Sequence, residues 1–180
     1  MKIYFVRHAK TNSNSLNQWQ GRSDNNISEE GLKELEILKE NTRNFNADVI
    51  ISSPLRRAID TANIFKKNNK EIIIDDRLIE RDFGQLEQQI VKNGEKEILS
   101  DIYLNTDLNL GVEKLNDMYT KRIKPFLNEI KKNYGKSNKK IVIVSHSWVG
   151  RLISYYNSGE QDTSLISIAP KNAVIYEYEI

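Results

Sequence analysis

Cysteine is absent from this chain of 180 residues, which excludes disulfide scaffolds, thiol nucleophiles, iron–sulfur centres and cysteine-ligated zinc. Long apolar runs are missing too. No stretch approaches the roughly 20 apolar residues that span a bilayer. Met1–Val6 passes directly into polar residues, unlike a secretory signal peptide. A cytoplasmic setting with no membrane partner is therefore expected. Charge of one sign is also lacking: 27 basic residues face 25 acidic ones, for a net charge of +2. The two signs alternate along most of the chain, so no footprint for a nucleic acid emerges. Neither G-x-G-x-x-G after Val6 nor G-x-x-x-x-G-K-[ST] occurs, which argues against dinucleotide and nucleotide loops. There is no internal repeat, low-complexity tail or linker.

What is present suits one domain over 1–180, since 38% hydrophobic and 29% charged residues are enough to close a core without metals or staples. Strands are expected at Lys2–Val6, Val49–Ile51, Ile72–Ile74 and, most clearly, Ile141–Val144, with its four β-branched residues in succession. Ile166–Ile168 and Val174–Tyr178 read as late strands, the last alternating as an antiparallel or edge strand does. Thr11–Asn26 is polar and aperiodic, a long loop. Ser28, Glu30 and Gly31 open a helix with a Leu32, Leu35, Leu38 stripe. Ser52 or Ser53 caps another, with Pro54 in its first turn and Leu55, Ile59, Ala62 and Phe65 on its apolar face. A long helix is expected from Glu113 to Tyr134, with Pro125 inside the pattern as a reason for a break. Trp148–Tyr156 forms the last. The weak pattern at about 85–111, with short helices around Ile90, Ile98, Ile102 and Leu104, reads as a lid or insert. Such alternation predicts an α/β fold of three layers, α/β/α, around a mainly parallel central sheet.

In a parallel sheet, ligands bind beyond the carboxyl ends of the strands. Here those ends carry Arg7-His8, Ser52-Ser53 followed by Arg56 and Arg57, Glu80-Arg81-Asp82, and His146. Both histidines of the chain would meet several arginines and a carboxylate at one edge. Guanidinium forks match phosphoryl oxygens, and neighbouring cations keep an imidazole nitrogen unprotonated near neutral pH. Such a pocket suits attack on the phosphorus of a dianion, with the arginines supplying the charge that a metal otherwise would.

Order and spacing point further. Arg7-His8-Ala9-Lys10-Thr11 resembles the R-H-G-[EQ]-T signature of the histidine phosphatase superfamily, the phosphoglycerate-mutase-like fold. Asn14 stands at the family's W-N asparagine, Gln20-Gly21-Arg22-Ser23-Asp24 resembles Q-G-x-x-D, and Ile27–Gly31 resembles L-T-x-x-G. Ser52–Ala62 is similar to S-S-P-L-x-R-A-x-x-T-A, Leu78–Gly84 to L-x-E-x-x-F-G, and Val144-Ser145-His146 to V-S-H. These blocks keep the family order from Met1 to about Leu152. Carried over by position, the resemblance implies that His8 is the nucleophile that becomes phosphohistidine. Arg7 and Arg57 would bind the transferring phosphoryl group, with His146 as second pocket histidine and Glu80 as acid and then base. Asn14, Lys10, Gln20, Gly21 and Ser147 would face the substrate.

The departures are Ala9 for glycine, Lys10 for Glu or Gln, Ser147 for the glycine after the second histidine, and Gln88 for the glycine of W-E-G. The implied function is a metal- and cofactor-independent phosphomonoesterase acting on a small phosphate ester. The small branch, similar to the α-ribazole phosphate phosphatase of cobalamin salvage or to broad-specificity members, fits the length. The alternatives are a cofactor-dependent phosphoglycerate mutase or a phosphate-binding pseudoenzyme. Mutases are longer and more basic after the glutamate block, whereas Gln85–Gly111 holds Lys92 and Lys96 against Glu87, Glu95, Glu97, Asp101 and Asp107. A homodimer is the expected assembly, with no nucleic-acid partner.

Overall fold

One sheet organises the molecule: β1 (Lys2–Arg7), β2 (Val49–Ser52), β3 (Ile72–Ile74), β4 (Ile141–Ser145) and β5 (Ile175–Glu179), in the order β3-β2-β4-β1-β5. The computed structural model describes residues 1–67, 70–91 and 110–180. The expected lid at about 85–111 therefore falls largely outside the described residues, as do helices around Ile98, Ile102 and Leu104. Strands β1 to β4 run parallel, and β5 closes one edge antiparallel to β1.

The apolar run of β4 is buried on both faces. Ile141 and Ile143 pack, with Ile3, Phe5 and Ile51, against Phe126, Leu127, Ile130, Trp148 and Leu152. Val142 and Val144 pack, with Val6 and Ile50, against Leu38, Ala58, Ala62 and Phe65. Alternate side chains of a strand point to opposite faces, so a strand sandwiched between helix layers needs apolar residues at every position. The result is the three-layer α/β/α arrangement with a largely parallel sheet.

Helix α1 (Asn12–Ser15) interrupts the expected long loop. Thr11 Oγ1 accepts from Asn14 N while Asn14 Oδ1 accepts from Thr11 N, a reciprocal cap that starts a turn without any apolar periodicity. In α2 (Glu29–Asn41), Ser28 Oγ accepts from Gly31 N, and Glu29 and Glu30 sit favourably at the positive end of the helix dipole. Its buried face is Gly31, Leu35 and Leu38, whereas Leu32 is exposed. Residues i, i+4 and i+7 share a face, and 32 lies off it.

Helix α3 (Arg56–Ala62) starts without a side-chain cap; Ser53 is engaged elsewhere, as shown below. The expected long helix divides: a turn at Leu115–Asp117, a π-helical stretch at Met118–Ile123, then α4 (Lys124–Tyr134) with Pro125 in its first turn. Proline lacks an N–H and crowds the carbonyl four residues back, so regular α geometry gives way just before it. Helix α5 (Ser147–Asn157) follows β4 directly.

The expected strand at Ile166–Ile168 is not formed; Thr163–Ser167 is a 3-10 turn. Asp162 Oδ1 accepts from Ser164 N and Ser164 Oγ, Ser167 Oγ donates to Ser164 O, and Arg151 Nη1 claims Ile166 O. Local side chain–backbone bonds outcompete a ladder here.

Helix α5 lies unusually close to β1 at Gly150. A Cβ there falls 2.5 Å from Phe5 Cε1 and 2.8 Å from Pro170 Cγ. Gly150→Ala is expected to lower the unfolding free energy by about 1–3 kcal/mol through overpacking, despite alanine's better helix propensity. Equilibrium denaturation measures this, and an unchanged midpoint would show that the Phe5 ring yields freely.

Candidate active site

Parallel pairing of β1, β2 and β4 brings their carboxyl ends to one edge. His8 N donates to Ser145 O at 2.9 Å, and Ser53 N donates to Val144 O at 3.0 Å, so the residues leaving these strands are locked side by side. Above this edge opens a cleft of about 300 Å³. Arg7, His8, Arg57 and Glu80 line it, together with Asn14, Gln20 and Gly21 from the loop around α1. Ser147, Trp148 and Arg151 contribute from α5, and Trp19 and Phe83 form a tilted aromatic pair with ring centroids 4.7 Å apart. A larger, open depression of about 660 Å³ lies against α2 and the residues after α3. Its charged lining (Glu36, Lys39, Lys67) is distant from the strand ends and converges on nothing.

Burial governs the protonation states. His8 is buried, and desolvation, then the charges of Arg57 and Arg7, hold its pKa well below the ordinary 6.5. Its Nδ1 stands 2.7 Å from Ala9 O. A carbonyl only accepts, so Nδ1 carries the proton and Nε2 keeps its lone pair. His146 is fully buried, with its ring centroid 5.2 Å from that of His8, and does not line the open cleft. Desolvation, followed by Arg57, His8 and Arg7, lowers its pKa as well. Its Nε2 is 2.7 Å from Ser53 Oγ, and its Nδ1 is buried without a partner among the described residues.

Glu80 moves the other way: burial raises its pKa, against the opposing pull of Arg81 N, Arg57, Arg7 and Trp148 N. Its Oε1 accepts from Arg81 N at 2.9 Å and Trp148 N at 3.2 Å. Arg57 is wholly buried, and desolvation lowers its pKa to about 10, leaving it charged at neutral pH. Its fork is aimed by two carbonyls, Nη1 to Ser23 O at 2.6 Å and Nη2 to Gly21 O at 2.7 Å. Arg7 Nη1 donates to Pro170 O at 3.0 Å. The Nε atoms of both arginines are buried with no partner among the described residues.

Of the other residues singled out, Asn14 has its Oδ1 tied to Thr11, leaving the amide NH₂ to donate, and Gln20 Oε1 lies 2.8 Å from Thr11 Oγ1. Ser147 reaches the cleft with its Oγ 3.5 Å from Arg151 Nε, too long for a strong hydrogen bond. Lys10 is not brought to the cleft: its Nζ pairs with Glu30 at 2.7 Å, while its backbone N donates to Glu34. Side chains of residues 8 and 10 share a direction only in an extended strand, and β1 ends at Arg7. Arg56, two-thirds exposed, faces Asp60.

Three residues were not anticipated. Ser53 turns its hydroxyl to His146 as well as to Leu55 N, and Thr61 Oγ1 accepts from Ala9 N at 2.9 Å. Glu87 accepts from Arg22 N, Ser23 N and Ser23 Oγ, fixing the loop whose carbonyls aim Arg57. A Cβ on Gly21 would fall 2.0 Å from Glu87 Oε1, and φ there is +52°, so only glycine allows this clamp. Ser53 and Thr61 stand inside the S-S-P-L…T-A block; Glu87 had no signal beyond its neighbourhood to Phe83-Gly84.

Two imidazoles held neutral carry a stability cost in acid. Their unfolded forms bind a proton near 6.5 while the folded forms resist it, so the stabilisation is complete above that pH and is lost as pH falls below it. Between pH 7.5 and 5.5 each histidine is expected to remove roughly 1 kcal/mol. Denaturant titrations at both pH values should show a smaller loss in His8→Asn than in the wild type. Equal losses would mean that His8 takes up its proton in the folded state.

The histidine phosphatase superfamily (branch 1) pattern matches residues 3–180. Phosphoserine phosphatase 1 of Hydrogenobacter thermophilus is 33% identical over 153 residues, covering 82% of this chain and 71% of that protein. An uncharacterized phosphatase of Bacillus subtilis, PhoE, is 29% identical over 94% of this chain and 86% of its own length. Among solved structures, the α-ribazole phosphatase of Shigella flexneri superposes with a TM-score of 0.82 at 20% identity, over 100% of this chain and 91% of that one. The phosphoserine phosphatase of Entamoeba histolytica, in complex with 3-phosphoglyceric acid, gives 0.77 at 24% identity over 98% and 89%. With a pattern match over nearly its whole length and the histidine, arginine and glutamate side chains gathered at one cleft, the chain belongs to branch 1 of the histidine phosphatase superfamily and is an enzyme of that type.

Proposed function

We propose that this enzyme hydrolyses a small soluble phosphate monoester through a phosphohistidine formed on His8. The carrying observation is a pair of opposed pKa directions at one cleft: an imidazole held well below its ordinary value, with its proton on Nδ1, and a carboxyl whose pKa burial raises. Such a divergence supports His8 as nucleophile and Glu80 as acid. His8 Nε2 attacks phosphorus, the bond to the ester oxygen breaks, and the Glu80 carboxyl gives its proton to the leaving alkoxide. The Glu80 carboxylate then takes a proton from water as the water oxygen bonds to phosphorus. The P–N bond breaks, releasing phosphate and neutral His8.

Arg7, Arg57 and His146 are assigned to the phosphoryl oxygens. Buried polar atoms call for hydrogen-bond partners, and the Nε of both arginines and Nδ1 of His146 have none among the described residues. In this reading fixed guanidiniums rather than a metal stabilise the developing charge. Among the described residues no group of three or more His, Asp or Glu side chains is placed to hold an ion. The relatives make phosphoserine, 3-phosphoglycerate and α-ribazole phosphate the first esters to try beside p-nitrophenyl phosphate.

Turnover of p-nitrophenyl phosphate is expected to persist in excess chelator and to vanish in His8→Ala, with acid-quenched wild type carrying phosphate on His8. Loss of rate in chelator, restored by a divalent ion, refutes the metal-free mechanism. Arg57→Ala should lower kcat/KM by about 100-fold or more, against about twofold or less for exposed Arg56→Ala; equal losses would overturn the assignment of Arg57.

Glu80→Gln tests the acid. Nitrophenolate leaves without proton assistance and an alkoxide does not, so kcat/KM for an alkyl ester should fall at least about tenfold further than for the nitrophenyl ester. A uniform fall would remove Glu80 from the first step.

A further inference from the structure

The pose of Glu80 depends on a short segment without regular secondary structure, and that segment is gripped by an ion pair with no place in the chemistry above. Arg122, in the π-helical stretch, meets Glu113 as a fork, with Nε to Oε1 at 2.9 Å and Nη2 to Oε2 at 2.6 Å. Both side chains are mostly buried, at 15% and 16% exposure. The remaining arm, Nη1, donates to Arg77 O at 2.9 Å and to Ile79 O at 2.8 Å. Ile79 immediately precedes Glu80, and the carbonyl between these two, Leu78 O, accepts from Ser145 Oγ at 2.6 Å. All three carbonyls leading into Glu80 are thus held by side chains.

Glu113 grips the far side. Its N donates to Asp82 O at 2.9 Å, its O accepts from Arg81 Nε at 2.7 Å, and its carboxylate takes Asp82 N at 3.4 Å. Arg22 Nη2 lies 3.6 Å from the same carboxylate, and Arg22 belongs to the loop whose carbonyls aim Arg57. One carboxylate therefore joins the segment that carries the acid to the loop that orients the phosphoryl-binding arginine. The π-helical stretch is part of this arrangement. Its extra residue turns the side chains before it by about 100° relative to α4. That change of phase accompanies the inward reach of Arg122.

We infer that the Glu113–Arg122 ion pair is a positioning pair that sets the pose of Glu80 for protonation of the leaving group; the inference rests on the reading of Glu80 as that acid. Proton transfer needs hydrogen-bond reach to the leaving oxygen, and small misplacements of a catalytic group are expensive. Among the described residues, Arg7 and His146 make their hydrogen bonds to Pro170 and Ser53 rather than to either member of this pair. Removing the fork should therefore damage one step selectively.

The experiment compares kcat/KM for an alkyl and a nitrophenyl phosphate in wild type, Glu80→Gln, Arg122→Gln, Arg122→Lys and Glu113→Gln. Competitive inhibition by inorganic phosphate is measured alongside, below each variant's melting temperature. Arg122→Gln should lose about tenfold more on the alkyl ester than on the nitrophenyl ester, with phosphate inhibition within about twofold of wild type. Arg122→Lys, which keeps the charge but not the fork, should fall between. Glu113→Gln, of nearly unchanged shape, should show the same selectivity and keeps the test open should the arginine variants fold poorly. Equal losses on both esters, or none, in the folded variants overturn the positioning role while Glu80→Gln still discriminates. If Glu80→Gln itself fails to discriminate, the acid assignment falls and the inference with it.

Discussion

A guanidinium taken wholly out of water must be told where to point, and Arg57 is held by the carbonyls of Gly21 and Ser23. Much of the cleft follows from that requirement. The loop has to present two carbonyls inward, which exposes its own N–H groups, and Glu87 collects those of Arg22 and Ser23. The carboxylate sits so close that residue 21 must be glycine. With Arg57 and Arg7 this near, protonating either histidine would add a further buried positive charge. The imidazoles stay neutral, and in the proposed mechanism His8 needs no separate base to free its lone pair.

Neutrality alone does not aim a lone pair. The Ala9 carbonyl chooses the tautomer of His8, and the Ala9 N–H is fixed in turn by Thr61 from α3. Ala9 adopts no left-handed backbone, so the methyl group in place of the family's glycine is accommodated without strain, fully buried. Gln88 is different. It too replaces a family glycine, but here φ is +66°, a conformation that costs an L residue roughly 1–2 kcal/mol. The strain is borne where Gln88 N donates to Trp19 O at 2.6 Å, joining the segment after Glu80 to the aromatic wall of the cleft.

The layered fold was legible because β4 is apolar from Ile141 to Val144 and β1 apolar or aromatic from Ile3 to Val6, and the site because strand exits carry chemistry that their neighbours do not. The ordered blocks from Arg7 to His146 placed the histidines, arginines and glutamate at one edge. What escaped reading has a common cause: competition among polar groups. Thr11 and Asn14 close a reciprocal cap in a segment without periodicity, and Asp162 with Ser164 folds the expected strand at Ile166–Ile168 into a turn. Glu30 draws Lys10 away from the cleft, and Ser53 Oγ meets His146 as well as Leu55 N. Such choices depend on partners far along the chain, and no local pattern reports them. Glu113 and Arg122 read as an ordinary start and polar face of a helix; only the π-helical register shows the fork turned inward.

The interior position of β1, between β4 and β5, carries a kinetic consequence. This strand delivers Arg7 and His8, yet its two neighbours, β4 and β5, come from the last part of the chain. The C-terminal segment also supplies Pro170 O for Arg7, Asn172 for the His8 carbonyl and Ala173 N for the Arg7 carbonyl. Pairings of such wide sequence separation are made late and slowly, because the entropy of closing the intervening chain is lost before any contact compensates. The helices on either side of the sheet can gather around local contacts much sooner. A chain with most of its secondary structure in place would still hold Arg7 and His8 loosely, so the cleft takes its shape with the final closure of the sheet.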